Sequence, residues 1–310
     1  MLVRLLLSLG LFLGAMLIGW WLHRRGWLGE TRSALLVRWL VILPSPVVLC
    51  LSFWQMNFRS FEPWILPLLG LLIAGSTLAP AAWYVRACRM PRPQAGSFLV
   101  CAFFSNLGYF GAFTVFALYG ETAYALCVLY LVFFTPAFYT LGFSIAARHG
   151  EASGSSAAMT GAYNAELRIF PVVGMFAGAL LSLAGVPRPA PLETLNHLLI
   201  PVNTAVYLMA IGAQLTFNSP RPWLRHCLAM CAIKFLYTPL VGWLLATACR
   251  LDGLPRIVVL LEAATPVAVS PLILPLLFGL DRRLANALWL VTTVVGVPVY
   301  LVLLPMLPHL

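Results

Sequence analysis

Charge is scarce in this chain. Asp, Glu, Lys and Arg make up 9% of its 310 residues, where a soluble domain carries roughly a quarter. So little charge cannot cover a particle of this length for water, which excludes a soluble globular protein. Lysine is reduced to one residue, Lys234, and carboxylates are nearly as rare, with Asp+Glu 9. The chain has no GxxxxGK[ST] loop, so ATP is not expected to drive it. It also lacks HExxH, GxSxG, paired-Asp and CxxC motifs, which leaves intramembrane hydrolysis and thiol redox chemistry without residues to carry them. The cysteines lie mostly inside apolar runs and read as small reduced thiols. Cys227 and Cys231 stand one helical turn apart with only His226 as a near third ligand, too little for a metal site. No cofactor is expected.

What the chain has in abundance is apolar sequence: 62% hydrophobic residues and a mean hydropathy of +0.94. Lipid is therefore the solvent for most of its surface. At roughly 20 apolar residues per span, the runs predict an all-α membrane protein of ten transmembrane helices. They lie at about 5–22, 34–54, 64–86, 95–118, 122–146, 169–186, 194–215, 225–249, 255–278 and 284–307. The net charge of +10 would suggest nucleic acid in a soluble protein; here it falls in short loops and argues for no nucleic-acid partner. His23-Arg24-Arg25 follows the first apolar run, the reverse of a cleaved signal peptide, so that run is expected to be retained. Arginines crowd the loops at 24–38, 86–92, 148–168, 221–225 and 282–283, while the opposite side has Arg4, Arg59, Arg188, Arg250 and Arg256. The positive-inside bias then predicts an inner (cytoplasmic) membrane protein with both termini outside the cytoplasm.

The polar stretch Arg148–Arg168, with its Gly-Glu-Ala-Ser-Gly-Ser-Ser, reads as a cytoplasmic linker between residues 1–147 and 169–310. Short matches relate these halves. Leu118-Tyr119-Gly120 corresponds to Leu277-Phe278-Gly279, and Ala87-Cys88-Arg89 to Ala248-Cys249-Arg250. Ala125-Leu126 before Pro136 corresponds to Ala287-Leu288 before Pro298 at the same spacing. Five spans per half force the second half to enter the membrane from the opposite side, so the repeats are expected to be inverted. That is a common construction of secondary transporters.

Two spans carry interruptions at the same depth. Asn106-Leu107-Gly108-Tyr109-Phe110-Gly111 lies about eleven residues, roughly 16 Å, into the fourth. Pro266, within Glu262-Ala263-Ala264-Thr265-Pro266, lies as far into the ninth. Unwound backbone at that depth survives where protein or a watery cavity satisfies it, so the pair marks a midplane site. Half-helices are expected to resume near Phe113 and Ala268, with N-terminal dipoles that favour an anion. The candidate substrate-binding residues are Asn106, Gly108, Gly111, Asn203, Thr265 and Pro266. Lys234 and Glu262 are candidates for ion coupling or charge compensation, because ionisable groups inside spans are costly and mark pathways or pairs. Their expected depths differ by roughly 5 Å, close enough for a salt bridge. A static structural pair is the alternative.

The sequence resembles the auxin efflux carrier family, bacterial organic-anion permeases related to the plant PIN proteins. Asn106-x-Gly108-x-x-Gly111 and the later Tyr119-Gly120 resemble its Asn-x-Gly-x-x-Gly-x-Pro signature and small-residue turn. Ala263-Ala264-Thr265-Pro266, Gly279-Leu280-Asp281 and Pro171-x-x-Gly174 are similar as well. The family's proline after the second glycine is missing; Ala112-Phe113 stands there instead. The resemblance implies two inverted five-helix repeats whose broken helices 4 and 9 cross, as in bile-acid symporters and sodium/proton antiporters. It also implies alternating-access transport of a small organic anion, and it is not an enzyme family. Protons are the expected coupling ion. Sodium coupling of the bile-acid symporter type and a non-transporting receptor or scaffold are the alternatives; lipid is a constant partner and a homodimer is left open.

Overall fold

The computed structural model describes residues 2–58, 62–150, 169–213, 219–269 and 272–306; most of the expected linker, 151–168, lies outside the described residues. Every element among them is helical, apart from one isolated antiparallel bridge. Seven helices are long and apolar enough to cross a membrane: Val3–Arg24, Thr31–Trp54, Pro63–Ala87, Glu121–His149, Ala190–Gly212, Arg221–Ala248 and Arg282–Leu304. The expected sixth span is a shorter helix, Ile169–Leu183. The expected fourth and ninth spans are each divided, into Arg92–Phe103 and Leu107–Tyr119, and into Gly253–Ala263 and Ile273–Phe278.

Packing does not follow the division at the central linker. One compact unit comprises Met1–Trp64, Ala112–Leu126 and Thr160–Leu215; the other comprises Ile65–Gly111, Cys127–Met159 and Thr216–Leu310. Each takes segments from both halves of the chain. A sequence repeat groups segments by resemblance, whereas a compact unit groups them by contact, so the two partitions differ.

In the first unit, glycines let helix backbones touch. Built Cβ atoms at Gly174 and Gly178 would stand 2.7 Å from Pro46 Cα and 3.0 Å from Cys50 Cα, so the GxxxG face of Ile169–Leu183 lies directly on Pro44–Trp54. Gly19 meets Met209, and Gly212 meets Met16, in the same manner. A buried polar cluster also lies in this unit. Arg188 pairs with Glu121 and donates to Leu51 O at 3.0 Å and Gln55 Oε1 at 2.6 Å, while Asn196 Nδ2 donates to Glu121 and Ser52 Oγ.

The second unit holds both interruptions, at residues 104–106 and 264–268, and a core of Val100, Phe103, Phe104, Phe138, Leu274 and Phe278. Its two Ala-Cys-Arg segments end their helices alike. Arg89 (φ 48°) and Arg250 (φ 52°) both adopt left-handed backbone. Met90 N bonds Val85 O at 3.1 Å and Leu251 N bonds Ala246 O at 2.9 Å, the closing bond of a Schellman motif in each case.

Gly178→Val is expected to lower stability by about 1–3 kcal/mol by wedging two backbones apart. Gly10→Val, where an added side chain meets open space, is expected to leave it within about 0.5 kcal/mol. Thermal unfolding of the detergent-solubilised protein measures both.

Candidate functional site

The ninth-span interruption follows from its proline. Pro266 has no N–H, and its ring clashes with the carbonyl four residues earlier, that of Glu262; the residue before it, Thr265, is pushed out of helical backbone. The helix accordingly ends at Ala263. The Glu262 carbonyl accepts from Thr265 Oγ1 at 2.8 Å. Leu261 O accepts from Tyr300 Oη at 2.7 Å. Val267 N donates to Thr292 Oγ1 at 3.2 Å.

The fourth-span interruption has no proline. Helix Arg92–Phe103 ends where Phe104 turns extended (φ −93°, ψ 117°), and the extended residues of the two spans pair. Asn106 N donates to Pro266 O at 2.7 Å, and Ala268 N donates to Phe104 O at 3.0 Å. Ser105 thus sits opposite Val267 in an antiparallel bridge, the closely spaced, non-hydrogen-bonded kind. The break comes just ahead of the Asn106–Gly111 motif, whose glycines lie in a π-helical turn, Leu107–Ala112, that runs on into Phe113–Tyr119. The position where the family carries proline is therefore inside continuous helix. The second half-helix starts at Ile273 rather than near Ala268, because residues 266–268 are held out of helix by their bonds to residues 104–106 and Thr292.

Lys234 and Glu262 are both fully buried, at 0% exposure, and they do not form an ion pair. Ion pairs are formed instead by Arg188, with Glu121 and Glu193. Lys234, in a π-helical stretch at Ile233–Tyr237, donates to Ala102 O at 2.6 Å and to Ser105 Oγ at 2.8 Å. Its ammonium supplies the donor that a continuing helix would have supplied, at the end where the helix dipole favours a cation. The expected salt bridge gives way to this cap, because a carbonyl orphaned by the break is as demanding a partner as a carboxylate.

Glu262 is enclosed differently. Neither carboxyl oxygen has a hydrogen-bond partner among the described residues. The Cys127 thiol lies beside it without meeting hydrogen-bond geometry, and the Tyr130 and Tyr300 phenols are within electrostatic reach. Gly111 makes room for it: a Cβ there would stand 2.7 Å from the carboxyl carbon. A cavity of about 30 Å³ is lined by Ser105, Tyr130, Thr238 and Glu262 among apolar neighbours.

Of the residues singled out from the sequence, Asn106, Gly111, Thr265, Pro266, Lys234 and Glu262 come together here. Asn106 Nδ2 is buried without a partner among the described residues. Gly108 shares the π-helical turn, with open room up to Leu131 at 4.0 Å. Asn203 belongs to the first unit, where it bonds Ser45 Oγ at 3.4 Å. Sequence reasoning passed over Ser105, Thr292 and Tyr300. Hydroxyls in the middle of apolar spans were the available signal.

Gly111→Ala is expected to destabilise the protein by about 1–3 kcal/mol by displacing the carboxyl. Adding Glu262→Ala should recover part of that loss, giving a coupling of about 0.5–3 kcal/mol in a double-mutant cycle read by thermal unfolding. Strictly additive losses would contradict the close approach.

The model of a family described as membrane transport protein matches residues 9–304. No curated protein matches the chain. The apolar helices and this match, over nearly the whole length, make it an integral multi-pass membrane protein whose work is transport. The chain belongs to the membrane transport protein family, that of the auxin efflux carriers.

Proposed function

We propose that this protein is a secondary active transporter that moves a small organic anion across the cytoplasmic membrane by alternating access, with protons as the coupling ion. The observation that carries this reading is the meeting of two interrupted helices at Asn106 N–Pro266 O and Ala268 N–Phe104 O. Paired breaks of this kind build midplane sites in carriers. The matched ends at Arg89 and Arg250 support an inverted five-plus-five repeat, with helices 4 and 9 crossing. Termini outside the cytoplasm rest on the arginine distribution.

In this reading an anion is bound beside the extended segments. Asn106 Nδ2 is the open donor there, Thr265 and Pro266 shape the opposite strand, and Gly108 leaves room. Lys234 is the buried cation of the second unit among the described residues and sets the sign of the field at the break. Asn203 enters the proposal as a separate polar position in the first unit. Glu262 carries the coupling proton. Hard cations take several oxygen ligands; near this carboxyl the Tyr300, Ser105 and Thr238 hydroxyls are already engaged with Leu261 O, Lys234 Nζ and Ile233 O, which favours a proton over sodium.

Purified protein in proteoliposomes, loaded with a panel of monocarboxylates, dicarboxylates and indole acids under a pH gradient, tests the reading. Gradient-driven flux should persist when choline replaces sodium. Glu262→Gln should lower the gradient-driven part by about tenfold or more. A variant with unaltered proton dependence removes Glu262 from the coupling, and flux that requires sodium replaces the coupling ion.

A further inference from the structure

Lys234 and Glu262 are not paired, yet one residue touches the surroundings of both. Ser105 Oγ accepts from Lys234 Nζ at 2.8 Å, and Ser105 and Glu262 line the same cavity. A water needs about 10–15 Å³ of such space and two to four polar partners; the cavity offers about 30 Å³, and Ser105, Thr238, Tyr130 and Glu262, whose carboxyl oxygens have no partner among the described residues, are among its lining residues. Proton transfer asks for hydrogen-bond reach or reach through one water. Ser105 is held in place for this by its opposition to Val267, which fixes its backbone on the extended side of the break.

The geometry points to a proton relay in which Ser105 and cavity water connect the Lys234 ammonium to the Glu262 carboxylate. One N–H bond of Lys234 breaks as its proton passes to Ser105 Oγ. The hydroxyl's own proton passes to water, and a water proton passes to a Glu262 oxygen. Ser105 and the water end as they began; the ammonium becomes an amine and the carboxylate a carboxylic acid, with no electrons exchanged and no external reactant. Ser105 is thereby a positioning and relay residue, and Glu262 loads its proton from inside the second unit. This rests on the proton-coupled reading of Glu262 proposed above.

The test follows the carbonyl band of the protonated Glu262 side chain by time-resolved infrared difference spectroscopy on the reconstituted full chain after a pH jump. The band is assigned by its disappearance in Glu262→Gln. Ser105→Ala is expected to slow its appearance by about tenfold or more while leaving its final amplitude, and Ser105→Thr, which keeps the hydroxyl, should restore the rate. Ala74→Leu fills the cavity from an apolar lining residue and should slow the band without touching the Lys234 bond. Wild-type rates in both Ser105→Ala and Ala74→Leu overturn the relay and leave proton coupling standing. A wild-type protein with no titrating carboxyl band overturns both. Ser105→Ala that loses the final amplitude, with Ala74→Leu at the wild-type rate, shows a structural role for the hydroxyl and also overturns the relay.

Discussion

Backbone amides and carbonyls in hydrocarbon have no water to turn to, and each one left without a partner costs several kcal/mol. That constraint governs the second unit. Two helices stop inside apolar sequence, at Phe103 and Ala263, and each stop frees groups that must be matched. Phe104 O and Pro266 O take Ala268 N and Asn106 N, so each interruption is the other's partner. Neither break is sustainable alone. Tyr300, Thr292, Thr265 and Lys234 are then read as the remainder of the same accounting, each filling one backbone position that the pairing leaves open.

The two buried charges are therefore not equivalent. Lys234 is committed to the helix end it caps, through Ala102 O and Ser105 Oγ. Glu262 is at the end of the other half-helix, but its carbonyl, not its carboxyl, serves the backbone. The carboxyl is surplus to the fold. It has space made for it by Gly111, and its residue lines a small cavity, an arrangement suited to a group that changes its state. A buried carboxyl that packs no hydrogen bond is costly to keep, so its retention points to function rather than to stability.

Much of this was readable from residue order. Pro266 announces its own break through the missing N–H and the clash with Glu262, and the Ala-Cys-Arg segments share an ending because the same three residues meet the same helix end. Gly111 and Asn106 were found as a motif, yet the break itself falls at Phe104 and Ser105, which carry no breaking signal of their own. Their extended backbone is imposed by partners at residues 266–268, some 160 positions along the chain, and local propensity cannot report that. The polarity of Asn203 is plain in the sequence, but which neighbours a polar residue meets is set by packing, and its bond to Ser45 could not be read there. Glu121 and Arg188 were overlooked for the same reason. Each reads as a loop charge until Asn196, Ser52 and Gln55 gather round them.

The pairing of the two interruptions is open to direct measurement by disulfide trapping. Residues facing each other in a non-hydrogen-bonded antiparallel pair stand about 4.5 Å apart at Cα, inside the range a disulfide spans. With the native cysteines replaced by serine or alanine, Ser105→Cys together with Val267→Cys should oxidise efficiently, and mass spectrometry of the digested protein should recover the joined peptides. Two helices running unbroken past one another, without the bridge, would leave both thiols free under the same oxidation.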